Sequence, residues 1–309
     1  MYVLFGYQTC PFIGIVVGNG LYRPESVTVN MKITLVQSRG LMMDPTVNFF
    51  KARMRINNVD SDIFVLPEMF CSGYTGDRKK MMLQLLDSAI VSKISELSVN
   101  RGSTVIMGCP RETDGKLYDC ALVVSGKQIS EYRKMILSSD GAFDEKEVFT
   151  PGDRPMIMDH MGLKIGMTVG YDLMSAELFR FYAMNDVDLI ICIAAMTEMQ
   201  MDRFEKVVRS RAAEFSMPVI VCNMVGPDCG VKLIGRSKFI GPDGNDIESC
   251  TDSSDVRVIN IDENIFKEAK AVRVITPEVV LGECIEIQTE SGNGENKATC
   301  PYTGAILDK

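Results

Sequence analysis

Histidine is almost absent from this chain: His160 is the single one in 309 residues. Its scarcity excludes multi-histidine metal centres. A Ser-His or Cys-His pair is equally hard to build, because His160 lies between Asp159 and Met161 ahead of the strand-like run Leu163–Val169 and reads as a hairpin residue. Acid–base chemistry would have to use carboxylates and lysine. Paired cysteines are missing too. Of ten cysteines none forms a C-x-x-C pair, the nearest two being Cys222 and Cys229, so no thiolate zinc site is expected. Scattered thiols in a chain of this length read as reduced core residues of a cytoplasmic protein. There is no Lys/Arg-rich run, and the formal charge of −8 gives no attraction for nucleic acid or anionic membrane. The apolar stretch FIGIVVG near the start has no basic residues before it and is too short to span a bilayer.

What is present is the make-up of a filled globular core, 46% hydrophobic and 24% charged. Residues 1–30 read as an N-terminal extension, either poorly ordered or a start assigned upstream of Met31. From Met31 strand and helix patterns alternate. Strands are expected at Ile33–Gln37, Ile63–Leu66, Thr104–Gly108, Tyr118–Val124, Gln128–Arg133, Leu163–Val169, Leu189–Ile193, Val219–Asn223, Ile234–Ile240 and Val256–Ile261. Helices are expected at Pro45–Asn57, as one long element around Met81–Val99, and at Ala176–Met184, Asp202–Phe215 and Glu263–Ala269. Pro242-Asp243-Gly244 is a hairpin signal. No linker interrupts 31–275, which reads as one α/β domain, and 276–309 reads as a polar tail.

Three stretches at strand ends could carry chemistry. In LPEMFCSGY, Glu68 directly follows a buried apolar strand. A poorly solvated carboxylate there suits a general base, and a surface Glu at a loop start is the plain alternative. In EYRKMIL, Lys134 closes a strand and could stabilise an oxyanion or be a solvated surface lysine. In IGMTVGYDLMSAE, a strand turns sharply at Gly170-Tyr171-Asp172 into a helix opening near Ser175. Such an elbow holds a nucleophile out over a sheet. Gly170 has no side chain to offer, although the N–H of Tyr171 could donate to an oxyanion.

Together these stretches resemble the carbon–nitrogen hydrolase family, the nitrilase superfamily, over roughly residues 31–275. GAFDEKEVFTPGD is similar to the family's segment between lysine and nucleophile, and GRSKFIGPDGNDI to its late hairpin. RFEKVVRSRAAEFSMPVIVCNMVG is similar to its helix–strand unit. The resemblance implies a four-layer αββα sandwich, paired into homodimers. It implies Glu68 as general base, Lys134 as oxyanion stabiliser, Glu145 as a supporting carboxylate and the Tyr171 N–H as oxyanion donor. The substrate would be a small amide, nitrile or carboxylate-like molecule, with no cofactor and no metal.

The chain departs from the family where the chemistry should be centred. Gly170 stands at the position of the nucleophilic Cys, with Gly166, Tyr171, Asp172 and Glu177 in register around it. Met174-Ser175-Ala176 replaces the family's R-F-P, and Ala194-Ala195-Met196-Thr197 replaces its P-A-x-W. Losing a nucleophile from a cooperating unit costs on the order of 10⁶ in turnover and leaves roughly 10³–10⁴ over water. Cys71 and Cys192 also lie at strand ends, but neither sits on an elbow. A catalytically impaired or ligand-binding pseudoenzyme is therefore expected. The alternatives are weak non-covalent hydrolysis, with Glu68 activating a water, and a scaffold partner of an active paralogue.

Overall fold

The structure, a computed structural model, describes residues 30–275 except Met42, Met43, Ala142 and Cys229. The polar tail and all of the expected extension but Asn30 lie outside the described residues, and Asn30 opens the first strand.

The first half of the chain builds one sheet with its helices. β1 (Asn30–Gln37) leads to α1 (Pro45–Ile56), where the Asp44 side chain accepts from Val47 N–H and Pro45 takes the first helical position. β2 (Ile63–Val65) is followed by α2 (Arg78–Met82) and α3 (Ser88–Arg101). The single helix expected around Met81–Val99 is thus two. Asp77 and Asp87 each cap a helix of their own, Asp87 by accepting from Ile90 N–H, so the chain restarts rather than running through. β3 (Thr104–Thr113), β4 (Lys116–Ser125) and β5 (Gln128–Arg133) complete the half as an antiparallel meander.

The second half repeats the plan. β6 (Met156–His160) and β7 (Leu163–Val169) form a hairpin turned by Met161 and Gly162, so His160 is a hairpin residue as expected. β6 itself was not expected. It is an edge strand whose inward Met156 and Met158 are only half-buried and whose outward Ile157 is apolar too, so no clean apolar alternation marks it. α4 (Ala176–Met184), β8 (Leu189–Ala194), α5 (Glu198–Glu214) and β9 (Val219–Asn223) follow. α5 starts four residues before the expected Asp202, where the Gln200 side chain accepts from Thr197 N–H at 3.0 Å. The strand expected at Ile234–Ile240 is broken by two left-handed residues, Gly235 and Arg236. One part is β11 (Val231–Ile234), paired with β10 (Val225–Asp228), and the other is β12 (Lys238–Ile240). β13 (Asp246–Ser249), β14 (Asp255–Asp262) and α6 (Asn264–Val272) end the described chain.

The strand orders are β14-β1-β2-β3-β4-β5 and β13-β12-β9-β8-β7-β6. In each sheet three central strands run parallel, β1-β2-β3 and β7-β8-β9. Alternation along these strands sorts side chains into three apolar layers. Ile33, Val65, Ile106 and Val123 of one sheet meet Ile165, Val169, Ile191 and Ile220 of the other in the central layer. On the outer face of the first sheet, Phe64, Val105 and Leu122 meet Phe49 of α1 and Ile94 of α3. On the outer face of the second, Ile190 and Val221 meet Phe179 of α4 and Phe204 and Val208 of α5. The architecture is a four-layer αββα sandwich.

Candidate active site

Glu68, Lys134 and Gly170 come from the ends of β2, β5 and β7, two in one sheet and one in the other, and they meet between the sheets. Ends of parallel strands are where backbone leaves the ladder and side chains can converge. The turn carrying Glu68 presses onto β3 at Gly108, where an added Cβ would lie 2.5 Å from Glu68 Cα and 2.3 Å from Met69 N. A side chain at 108 would therefore lever Glu68 off its strand.

Lys134 follows β5 and is buried. Its ammonium donates at 2.7 Å to Glu68 Oε1 and at 2.7 Å to Glu145 Oε1. Glu145 opens a 3-10 turn (Glu145–Glu147) and is also buried. The Tyr74 hydroxyl donates to the same Glu145 oxygen, and Ser138 N–H donates to the other at 2.8 Å. Burial alone would lower the Lys134 pKa, but the charges of Glu145, Glu68 and Asp119 reverse the sign and raise it well above the ordinary lysine value. Burial and then the Glu145 charge raise the Tyr74 phenol likewise. Of the two sequence readings of Glu68 and Lys134, the buried pair is the one observed.

Gly170 begins a 3-10 turn (Gly170–Met174) with φ +50°, in the left-handed region. A Cβ built there would lie 3.0 Å from Glu68 Oε2 and 3.1 Å from Lys134 Nζ. The elbow therefore aims at the ion cluster, and the cluster has closed over the place where a side chain would stand. Tyr171 is second in the turn, so its N–H precedes the first acceptor available within the turn. Its ring is half-buried, and burial first, then the neighbouring Asp140, pushes its hydroxyl up to about 12. The hollow lined by Glu68, Tyr74, Lys134, Glu145, Tyr171 and Met196 leaves no room for a water-sized sphere.

Two further carboxylates belong to this region, and sequence reasoning gave neither a role. Asp172 is buried and accepts four hydrogen bonds, from Met135 N–H, Ile136 N–H, Val169 N–H and the Tyr132 hydroxyl at 2.8–3.0 Å. It ties the elbow of one sheet to the segment just after Lys134 in the other. Burial pushes it up to about 6, with those hydrogen bonds pulling the other way. Asp119, on β4, is buried with its Oδ2 3.7 Å from Lys134 Nζ. Its only sequence signal is one charged residue in the otherwise strand-like Tyr118–Val124.

Glu68, Asp119 and Glu145 bring carboxylate oxygens within 4.8 Å of one another. Such a set could hold a hard cation, but the Lys134 ammonium already sits among the three as their cation. Cys71 and Cys192 are both buried, with thiols raised by burial, and the Cys71 sulfur rests 3.2 Å from Met107 Sδ. Neither is an activated nucleophile. Among the described residues no helix is long and apolar enough to cross a membrane.

Known proteins share this fold. A CN-hydrolase superfamily protein from Xanthomonas campestris superposes with a TM-score of 0.74 at 22% identity, covering 82% of this chain and all of that one. Saccharomyces cerevisiae Nit3, of the nitrilase superfamily, gives 0.71 at 22% identity over 79% of this chain and 94% of its own. In sequence, an (R)-stereoselective amidase from a Pseudomonas species is 26% identical over 249 residues, 78% of this chain and 88% of that protein. A nitrilase from Pyrococcus abyssi is 24% identical over 242 residues, 75% and 90% of the two chains. The family model for carbon-nitrogen hydrolases matches residues 32–271. The chain is a member of the carbon–nitrogen hydrolase family.

Proposed function

We propose that this chain is a carbon–nitrogen hydrolase homologue that has lost covalent turnover, a pseudoenzyme whose pocket binds a small amide- or carboxylate-like molecule. The observation that carries the reading is Gly170. The elbow aims at Glu68 and Lys134 at about 3 Å, yet it offers no atom to attack with. In this reading Glu68 and Lys134 are the general base and oxyanion stabiliser of the ancestral reaction. Glu145 supports them, and the Tyr171 N–H is the remaining oxyanion donor.

A ligand reaches the cluster only when the hollow around it opens, because as closed it leaves no room for a water-sized sphere. Thermal denaturation against acetamide and acetate tests this. A ligand that binds only the native state raises the midpoint with concentration, and the rise should disappear in Glu68→Gln. No shift with either probe would contradict a binding role. Water activation by Glu68 is the weaker reading, because Glu68 Oε1 is engaged directly with Lys134 at 2.7 Å rather than across a water-sized gap.

A scaffold role has its own support in Phe181, Met184 and Met199, exposed apolar residues on α4 and at the start of α5. We place the dimer of the family there; a monomer by sedimentation would contradict that placement. The six described cysteines are all free and buried, which supports a reducing, cytoplasmic setting.

A further inference from the structure

The pocket holds three buried carboxylates and one buried cation. With every group ionised, two negative charges would stand uncompensated in a space closed to water. Low-dielectric surroundings do not tolerate that, and the group with the poorest hydrogen bonding takes up a proton. The three carboxylates are not equivalent in this respect. Glu68 receives the Lys134 ammonium at 2.7 Å. Glu145 receives the same ammonium at 2.7 Å, the Tyr74 hydroxyl and Ser138 N–H. Asp119 receives no hydrogen on either oxygen, although it is fully buried, and Lys134 Nζ remains 3.7 Å away.

We propose that Asp119 stays a carboxylic acid from neutral pH up to pH 8, donates its hydrogen to Glu68, and makes folding take up one proton. The proton removes one of the two excess charges and satisfies a buried oxygen pair that otherwise has no partner. It also restrains Glu68, whose Oε2 lies 3.0 Å from where a side chain at 170 would begin. The groups facing Asp119 are Glu68 from the β2 end, Tyr74 from the following loop, Cys109 on β3, Lys134 after β5 and Glu145 from its 3-10 turn. Burial and the Glu68 charge raise the Asp119 pKa well above its ordinary value, with Lys134 opposing. Donation of that proton to Glu68 acts in the raising direction too. The inference concerns the pocket already described, yet it is read without ligand, so a failure of either claim leaves the other standing.

The sign of the pH effect follows. Unfolded Asp119 is ionised at neutral pH and folded Asp119 is protonated. Its contribution to stability is therefore complete below the unfolded value and is lost as pH rises toward the folded one. One proton of linkage changes the unfolding equilibrium constant tenfold per pH unit. Denaturant unfolding of the native protein and of Asp119→Asn, at pH 7 and at pH 8, reads it. The native constant should rise about tenfold more over that interval than the variant's; equal rises would overturn the proposal. Should the variant fail to fold, the infrared carbonyl stretch of the native protein at pH 8 decides. Asp172, pushed up to about 6, is ionised there. A protonated-carboxyl band supports the proposal, and its absence overturns it.

Discussion

Gly170 combines a left-handed backbone with a cluster that has closed over its missing side chain. An L-residue in that region costs roughly 1–2 kcal/mol, and the Glu68 and Lys134 tips would have to retreat by tenths of an ångström. Gly170→Ala should therefore lower unfolding free energy by about 1–2 kcal/mol in denaturant titration; an unchanged midpoint would contradict the strain. Asp172 makes a different case. An amide in its place must turn its NH₂ toward N–H or O–H donors that now meet a carboxylate oxygen. Asp172→Asn should cost about 1–3 kcal/mol, against no measurable change for the exposed control Glu177→Gln. Of these residues, Glu68, Lys134, Glu145 and Gly170 were legible from flanking motifs. Asp119 was not, because one charge within a strand pattern does not reveal which strand end it faces. Asp172 could be placed in register, but three of its four partners, Tyr132, Met135 and Ile136, come from a stretch more than thirty residues earlier on the other sheet.

At the scale of elements, the alternating apolar strands and the capped helices were readable because burial imposes their period. What was missed has physical causes. Edge strand β6 carries apolar residues on both its half-buried and its exposed face, the α2–α3 break depends on capping by Asp87, and the β11–β12 break depends on left-handed Gly235 and Arg236. The packing of β2 against β3 makes a sharper prediction. Gly108 lies against backbone rather than flexible side chain, so Gly108→Ala must displace the Glu68 turn. The expected loss is about 1–3 kcal/mol, together with faster hydrogen exchange at Cys71 N–H, which bonds Gly108 O at 3.0 Å. Normal exchange at Cys71 would mean the turn does not depend on that glycine.

For the whole molecule, the two half-chains place Glu68 and Lys134 on one sheet and Gly170 on the other, so the pocket exists only where the sandwich closes. Family membership and the αββα architecture describe the frame. They leave open which reaction the frame still performs, and in the proposed reading that turns on Gly170. The expected domain, residues 31–275, should fold without its flanking segments, with an unfolding midpoint equal to that of the full chain; a lower midpoint would show that those segments contribute to it.

The most direct measurement is paired: intact mass and ammonia release for the native protein and for Gly170→Cys over small amides and nitriles. The native protein should give neither adduct nor ammonia, while the variant gains an acyl adduct at position 170. An adduct or turnover on the native protein would contradict the loss of covalent chemistry at the elbow.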